Sequence, residues 1–290
     1  MPWRLSQTED LAQVEHLLRQ HVQSSMFLLG NLLDHGLGSG ARHGLTLWQL
    51  EPCRGVFAIT NSGMVLMQAP DATSREWQAA ATLIADRRLS GASGEAAQLR
   101  RFLQATGLDQ LAARKDEDER SFRLELSELV LPECDGTTLL PLSAMPRDTA
   151  VAWRSAYLAE ALGTPVDEAA VTAVKNIDAY LSRDSHRVLT VEGQPVAMTG
   201  FNAEVPGVVQ VGGVYTPPHL RGRGYARRAL ALHLAQARAR GVEQAVLFTG
   251  NPAAARAYQA VGFQPAGAYG LLLFDAAQTL CISAQSQEET

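Results

Sequence analysis

Between Val208 and Ala226 the chain changes character twice. An apolar run, Val208 to Tyr215, is halted by Pro217 and Pro218; a basic glycine turn, Arg221-Gly222-Arg223-Gly224, follows, and Tyr225-Ala226 opens an alanine- and leucine-rich segment. Proline has no N–H to give a ladder, so the pair ends a strand. Gly222 and Gly224 tolerate positive φ and carry no Cβ that would stand in the way of a ligand. The first N–H groups of the following helix point outward unpaired, and the helix dipole favours an anion over them. The stretch therefore predicts a strand, a phosphate-sized loop and a helix N-terminus. In isolation the same residues also describe a glycine turn capping an ordinary helix, so the neighbouring sequence has to decide.

At 290 residues and 46% hydrophobic, the chain can bury one large core or two ordinary ones. Its net charge is −5, with 13 basic against 16 acidic residues up to residue 130 and 12 against 14 beyond it, so neither half is a basic arm and no nucleic-acid partner is indicated. Cys53, Cys134 and Cys281 are far apart and odd in number, which suits a reducing compartment. The N-terminus has no apolar signal core and no run approaches a membrane span, so a cytoplasmic protein without membrane contact is expected.

In the first half, Ser6 and Glu9 predict a capping box for a helix over 8–22, and a second helix follows over 25–35, ended by Gly36. Residues 45–51 alternate as a strand, and Gly55–Thr60 and Met64–Gln68 flank Asn61-Ser62-Gly63 as a hairpin. A helix is expected over 74–88, a break at Gly91–Gly94, a helix from Glu95 to Thr106, a solvated charged loop over Lys115–Arg120, and a last strand over Ser121–Leu126. Val130–Thr137, with Pro132 and Gly136, reads as the linker, giving domains of 1–130 and 131–290. The second half predicts a strand at Thr138–Leu142, helices at 147–161 and 167–182, and a three-strand meander over Arg187–Thr216. The opening loop, a helix to Arg240, a strand at Gln244–Phe248, a helix from Asn251 and a strand at Ala268–Phe274 complete it. This is an α/β fold of the α+β type, with a mixed sheet flanked by helices.

The halves share one element order, and Phe102-Leu-Gln-Ala-Thr-Gly-Leu108 parallels Ala257-Tyr-Gln-Ala-Val-Gly-Phe263 at an offset of 155 residues. A duplicated fold follows. The first copy has Pro70-Asp71-Ala72-Thr73 in place of the Arg-Gly-Arg-Gly loop and Leu103 in place of Tyr258. Only the second copy keeps the features of a phosphate site.

The second half, over about 137–275, resembles the GNAT superfamily of acyl-CoA-dependent N-acyltransferases. The superfamily's Q/R-x-x-G-x-G/A motif is met at Arg221-Gly222-Arg223-Gly224-Tyr225-Ala226, and its downstream pattern at Asn251, Ala254, Tyr258 and Gly262-Phe263. The whole chain is similar to tandem GNAT proteins whose first copy has decayed. The resemblance implies two tandem GNAT-like domains, the second catalytic, with acetyl-CoA as co-substrate, an amine acceptor and no metal. It implies that the loop N–H groups around Gly222 to Ala226 hold the CoA pyrophosphate, with Arg221 and Arg223 as charge partners and Asn251 as a further contact. The backbone of Val214, Tyr215 and Thr216 lies beside pantetheine in that reading, and the Val214 N–H polarises the thioester carbonyl.

In the same register Tyr258 is the candidate general acid, since a phenol with pKa near 10 can protonate a leaving thiolate. As an isolated tyrosine it would be a core aromatic. Gly212-Gly213 suits a bulge or a plain strand irregularity. The base is open: Glu204 and His219 are candidates, each read more simply as a surface group, and Trp153, Tyr157 and Tyr180, on the helices over the acceptor side, read mostly as packing residues. The sequence contains no GxSxG, HxxxH, HExxH or GxxxxGK[ST] motif. An inactive CoA-binding sensor is the alternative, and the acceptor, the acyl length and the oligomeric state are open.

Overall fold

The hydrophobic periodicity resolves into two compact units in the computed structural model, which describes residues 2–280; Cys281 lies outside them. One unit runs over Met1–Glu119 and resumes at Ala268, and the other is Arg120–Gly267. The elements in chain order are β1 (Trp3–Leu5), α1 (Leu11–Gln20), α2 (Val22–His35), β2 (Leu45–Leu50), β3 (Gly55–Thr60), β4 (Met64–Gln68), α3 (Ser74–Ile84), β5 (Leu89–Glu95), α4 (Ala96–Thr106) and β6 (Ala113–Glu125). They continue with β7 (Thr137–Pro141), α5 (Arg147–Leu162), α6 (Val166–Arg183), β8 (His186–Val191), β9 (Gln194–Val205), β10 (Val208–Tyr215), α7 (Tyr225–Ala239), β11 (Gln244–Thr249), α8 (Pro252–Gln259) and β12 (Gln264–Gln278). Each copy repeats the same order of strands and helices, as the internal repeat requires.

The first unit orders its strands β1-β2-β3-β4-β5-β12, with β4 and β5 parallel and β5 and β12 antiparallel. The second orders them β7-β8-β9-β10-β11-β6, with β10 and β11 parallel and β11 and β6 antiparallel. The closing strand beside each parallel pair thus comes from the other copy: Leu271–Leu273 pair with β5, and Arg120–Glu125 pair with β11. The units therefore divide at 119/120 and 267/268, whereas the linker reading cuts at 130/131. Chain order alone does not reveal such an exchange, because pairing partners are chosen by edge and register rather than by sequence proximity.

Three local expectations are corrected. The first helix is entered through Gln7, not Ser6: the Gln7 N–H donates to Asp10 Oδ2 at 2.7 Å, and Ser6 is buried with its hydroxyl unpaired. The expected break at Gly91–Gly94 is strand β5, buried over most of its length. A Cβ at Gly91 would collide with the Leu272 carbonyl and one at Gly94 with Met67, so these glycines permit close strand packing rather than a turn. The charged run Lys115–Arg120 is the middle of β6, not a loop. Its four acids are matched alternately: Lys115 pairs with Glu117 and Glu119 at 2.8 and 2.9 Å, and Arg100 pairs with Asp116 and Asp118.

The first core gathers Trp3, Trp48, Phe57, Trp77 and Phe102, with Trp77 meeting Phe102 edge-on at 5.5 Å. In the second unit, α5 and α6 supply Ala150, Ile177 and Tyr180 to pack on Val188, Met198 and Tyr215. Helix α7 packs Leu230, Ala231 and Leu234 with Phe201, Val209 and Val211, in a cluster that also takes in Leu247 and Tyr258. No described helix is long and apolar enough to cross a membrane.

Candidate functional site

Strand β10 is where the second sheet opens. It pairs in parallel with β11 only over Val208–Gln210, opposite Gln244–Val246, and past that point the two strands share no register. On its other edge, Gly212 pairs with Gly200 and Tyr215 with Met198, so Gly213 and Val214 together oppose Thr199 alone. This is a β-bulge, and Gly213 takes φ +64 within it. A Cβ at Gly212 would strike the Asn202 side chain, which is the packing reason for a glycine there. The bulge leaves the Val214 backbone outside the regular ladder, while its side chain packs on the same cluster as Tyr258.

After β10 the chain makes a short 3-10 turn over Pro218–Leu220, then the glycine loop. Gly222 and Gly224 adopt φ +80 and +76; a Cβ at Gly222 would meet nothing within 4 Å, and one at Gly224 only the tip of Arg227 at 3.8 Å. The glycines thus serve the backbone path and an open space over it. Gly224 caps α7 with no side-chain bond, and the first turn closes with the Arg228 N–H on the Gly224 carbonyl at 3.1 Å. The N–H groups of Tyr225, Ala226 and Arg227 precede that closure and form the positive end of the helix.

The first copy is built differently at the matching point. Helix α3 is capped by Thr73, whose hydroxyl accepts from the Glu76 N–H at 3.3 Å while Glu76 reaches back to the Thr73 N–H at 2.8 Å. The box takes up with a side chain the third N–H of the helix, the donor that Arg227 leaves open at the start of α7.

The predicted residues divide by environment. Arg223 is exposed. Arg221 is engaged, donating from Nε to the Thr216 carbonyl at 2.9 Å and from Nη2 to Glu160 at 2.6 Å. The Thr216 hydroxyl is buried and has no protein partner. Asn251 caps α8, with Oδ1 accepting from Ala253 and Ala254 N–H at 2.8 and 3.2 Å, which leaves its Nδ2 as the donor for any other group. Tyr258 is 9% exposed, with its ring 6.1 Å from that of Phe263. Tyr215 lies between Trp153, at 6.0 Å, and the Arg221 guanidinium, at 5.8 Å. Glu204 is half-exposed and pairs with Arg240 at 3.4 Å, and His219 is exposed.

Two groups escaped the sequence reading. His186 is fully buried, stacked on Tyr180 at 3.5 Å, with its Nδ1 2.9 Å from Ser185 Oγ and its Nε2 unpaired. Burial, and then the nearby cations led by Arg154, hold its pKa well below the usual imidazole range. Arg154 on α5 is the other, buried beside Tyr157 and Tyr180. A histidine starting a strand, with glycines at positions 200 and 213 to clear space for it, is the only trace of His186 in the sequence.

The acetyltransferase (GNAT) family pattern matches residues 152–263. These residues form a GNAT-family domain. The match spans the splayed strand, the glycine loop and the α8 helix. The GNAT likeness reaches beyond that domain at the level of fold. A GCN5-related N-acetyltransferase from Kribbella flavida is 19% identical, covering 77% of this chain and 87% of that one at a TM-score of 0.55. A GNAT-family acetyltransferase from Colwellia psychrerythraea is 14% identical over 95% of this chain and 100% of that one, with a TM-score of 0.52. A tandem GNAT protein from the clavulanic acid biosynthesis pathway is 13% identical, with 97% and 99% covered and a TM-score of 0.58. The chain thus has the tandem GNAT fold. No curated protein matches it significantly in sequence.

Proposed function

We propose that the chain is an N-acetyltransferase that moves an acetyl group from acetyl-CoA to a primary amine by direct attack in a ternary complex, with the second unit catalytic and the first a copy that lacks the phosphate loop. The observation that carries this reading is the pairing of an uncapped glycine-led helix N-terminus with a neighbouring strand that bulges and parts from its parallel partner. The open space above Gly222 and Gly224, the first-turn N–H groups and exposed Arg223 fit a pyrophosphate. The buried, unpartnered Thr216 hydroxyl and the β10 backbone fit an amide-bearing arm beside them.

Bound acetyl-CoA supplies the activated thioester carbonyl. The Val214 N–H donates to that carbonyl oxygen as charge develops on it. The Tyr258 hydroxyl gives its proton to the departing sulfur as the C–S bond breaks and the C–N bond forms. The amine's surplus proton leaves to water and water returns one to the Tyr258 phenolate, closing the cycle; Glu204 is paired with Arg240 on the surface and His219 is exposed. Asn251 and Arg221 shape the site's walls as well as its contacts.

Calorimetric titration with CoA, and free-thiol release from acetyl-CoA over a panel of primary amines, test the reading. Micromolar CoA binding with amine-dependent thiol release is expected. Binding without release by any amine would favour a CoA sensor and overturn the enzyme reading.

A further inference from the structure

Arg154 is 9% exposed, yet its charge has no carboxylate partner among the described residues. Its Nε donates to Asn176 Oδ1 at 2.8 Å, and its guanidinium carbon lies 4.9 Å from the Tyr157 ring centre and 5.4 Å from that of Tyr180. The bond to Asn176 uses one of the five N–H donors of a guanidinium. Those on Nη1 and Nη2 reach no acceptor among the described residues, and, unlike the enclosed Nε of Arg114 or Nε2 of His186, they are not sealed from solvent. A buried cation is normally paired, because aromatic faces return only part of the lost hydration.

Burial acts first on His186, and Arg154 leads the cations that oppose its protonation, with Arg183 and Arg187, itself paired with Asp184 at 2.8 Å, beyond it. The position is also informative. Tyr180 stacks on His186, and His186 Nε2 is 2.9 Å from where a Cβ on Gly213 would stand. Arg154, Tyr180 and His186 thus form a continuous path from helices α5 and α6 to the bulge beside Val214.

We propose that Arg154 binds a carboxylate of the acceptor, so that the amine receiving the acyl group belongs to an amino acid or a similar carboxylated amine. This rests on the acyl-transfer reading above. The free Nη edge is a planar fork that matches a carboxylate with two parallel hydrogen bonds, and a lysine's point charge does not reproduce it. The tyrosines hold the fork in place before the ligand arrives.

The test compares amino acids with their own primary amides, which keep the amine and lose the charge. At saturating acetyl-CoA, thiol release from the acids is expected to exceed that from the amides by about ten- to a hundred-fold in kcat/KM, the range for a charged hydrogen bond. In Arg154→Gln that preference collapses towards one, mainly through KM, with CoA affinity retained; Arg154→Lys recovers part of it. Amides acylated as well as acids, or an acid preference that survives Arg154→Gln, would overturn the site. If Arg154→Gln fails to fold, the acid-to-amide ratio of the unaltered protein decides. If no amine is acylated at all, the transfer reading fails separately. The same pairs are then read by thermal shift, where a rise in Tm with the acid but not the amide supports the site and its absence overturns it. A stronger shift with inorganic phosphate than with any acid would likewise overturn the carboxylate assignment.

Discussion

Arg221 and Glu160 join the glycine loop to helix α5: Nη2 donates to Oε2 at 2.6 Å while Nε holds the Thr216 carbonyl at 2.9 Å. Both side chains are about half exposed, 48% and 45%, so the ionic part contributes no more than about 1 kcal/mol. Glu160→Gln is expected to shift the Tm only marginally and to leave CoA affinity intact. Arg221→Ala, which also frees the Thr216 carbonyl, should weaken CoA binding several-fold in calorimetry. Unchanged affinity in Arg221→Ala would remove that residue from the binding site.

Gly224 sits at φ +76 directly before the first turn of α7. Valine is strained in that conformation, and its branches would occupy the space above the helix N–H groups. Gly224→Val should abolish CoA binding while the far-ultraviolet circular dichroism stays close to that of the unaltered chain. Normal CoA affinity in the variant would sink the loop assignment.

Tyr258 shares a packed cluster with Val214, and a phenylalanine fills nearly the same volume. Tyr258→Phe should therefore retain fold and CoA affinity and lower turnover by about ten- to a thousand-fold, the range for loss of one general acid. Turnover equal to that of the unaltered protein would reduce Tyr258 to a core aromatic.

Two buried histidines make stability depend on pH. Burial pushes His233 down to about 3, and His186 is also held well below its ordinary value. In the unfolded chain both titrate near 6.5. Below that pH the unfolded state binds protons that the folded state refuses, so stability falls as pH falls. His233 accounts for up to about 1.4 kcal/mol per pH unit, or about 2 kcal/mol between pH 7 and 5, and His186 acts in the same direction. Urea unfolding followed across that range should show the decline, and His233→Gln should flatten it. An equal slope in both proteins would contradict this account.

Most individual elements were legible because they rest on local rules. The hairpin around Asn61-Ser62-Gly63, the meander of β8, β9 and β10, and the helix that Gly107 ends all follow from side-chain period and turn chemistry. Strand β5 was not legible. Leu-Ser-Gly-Ala-Ser-Gly-Glu has weak strand propensity, and only close packing against Leu272 and Met67 makes its glycines an advantage. The charged middle of β6 failed for a similar reason, since its ion pairs to Arg100 and within the strand lie beyond any local pattern.

The strand–loop–helix around Arg221 to Ala226, the Asn251 cap and the place of Tyr258 two turns along that helix could be read from sequence because short-range spacing fixes them. That spacing, the internal repeat and the uneven survival of the loop between copies are what the sequence alone determined. Tertiary structure decided which copy supplies each closing strand, that Arg221 grips Glu160, and that Arg154 is buried with no counter-charge among the described residues. The physical reason is the same in each case. Edge pairing, ion pairing and burial depend on residues distant in the chain, and their energies exist only once the helices have closed over the sheet.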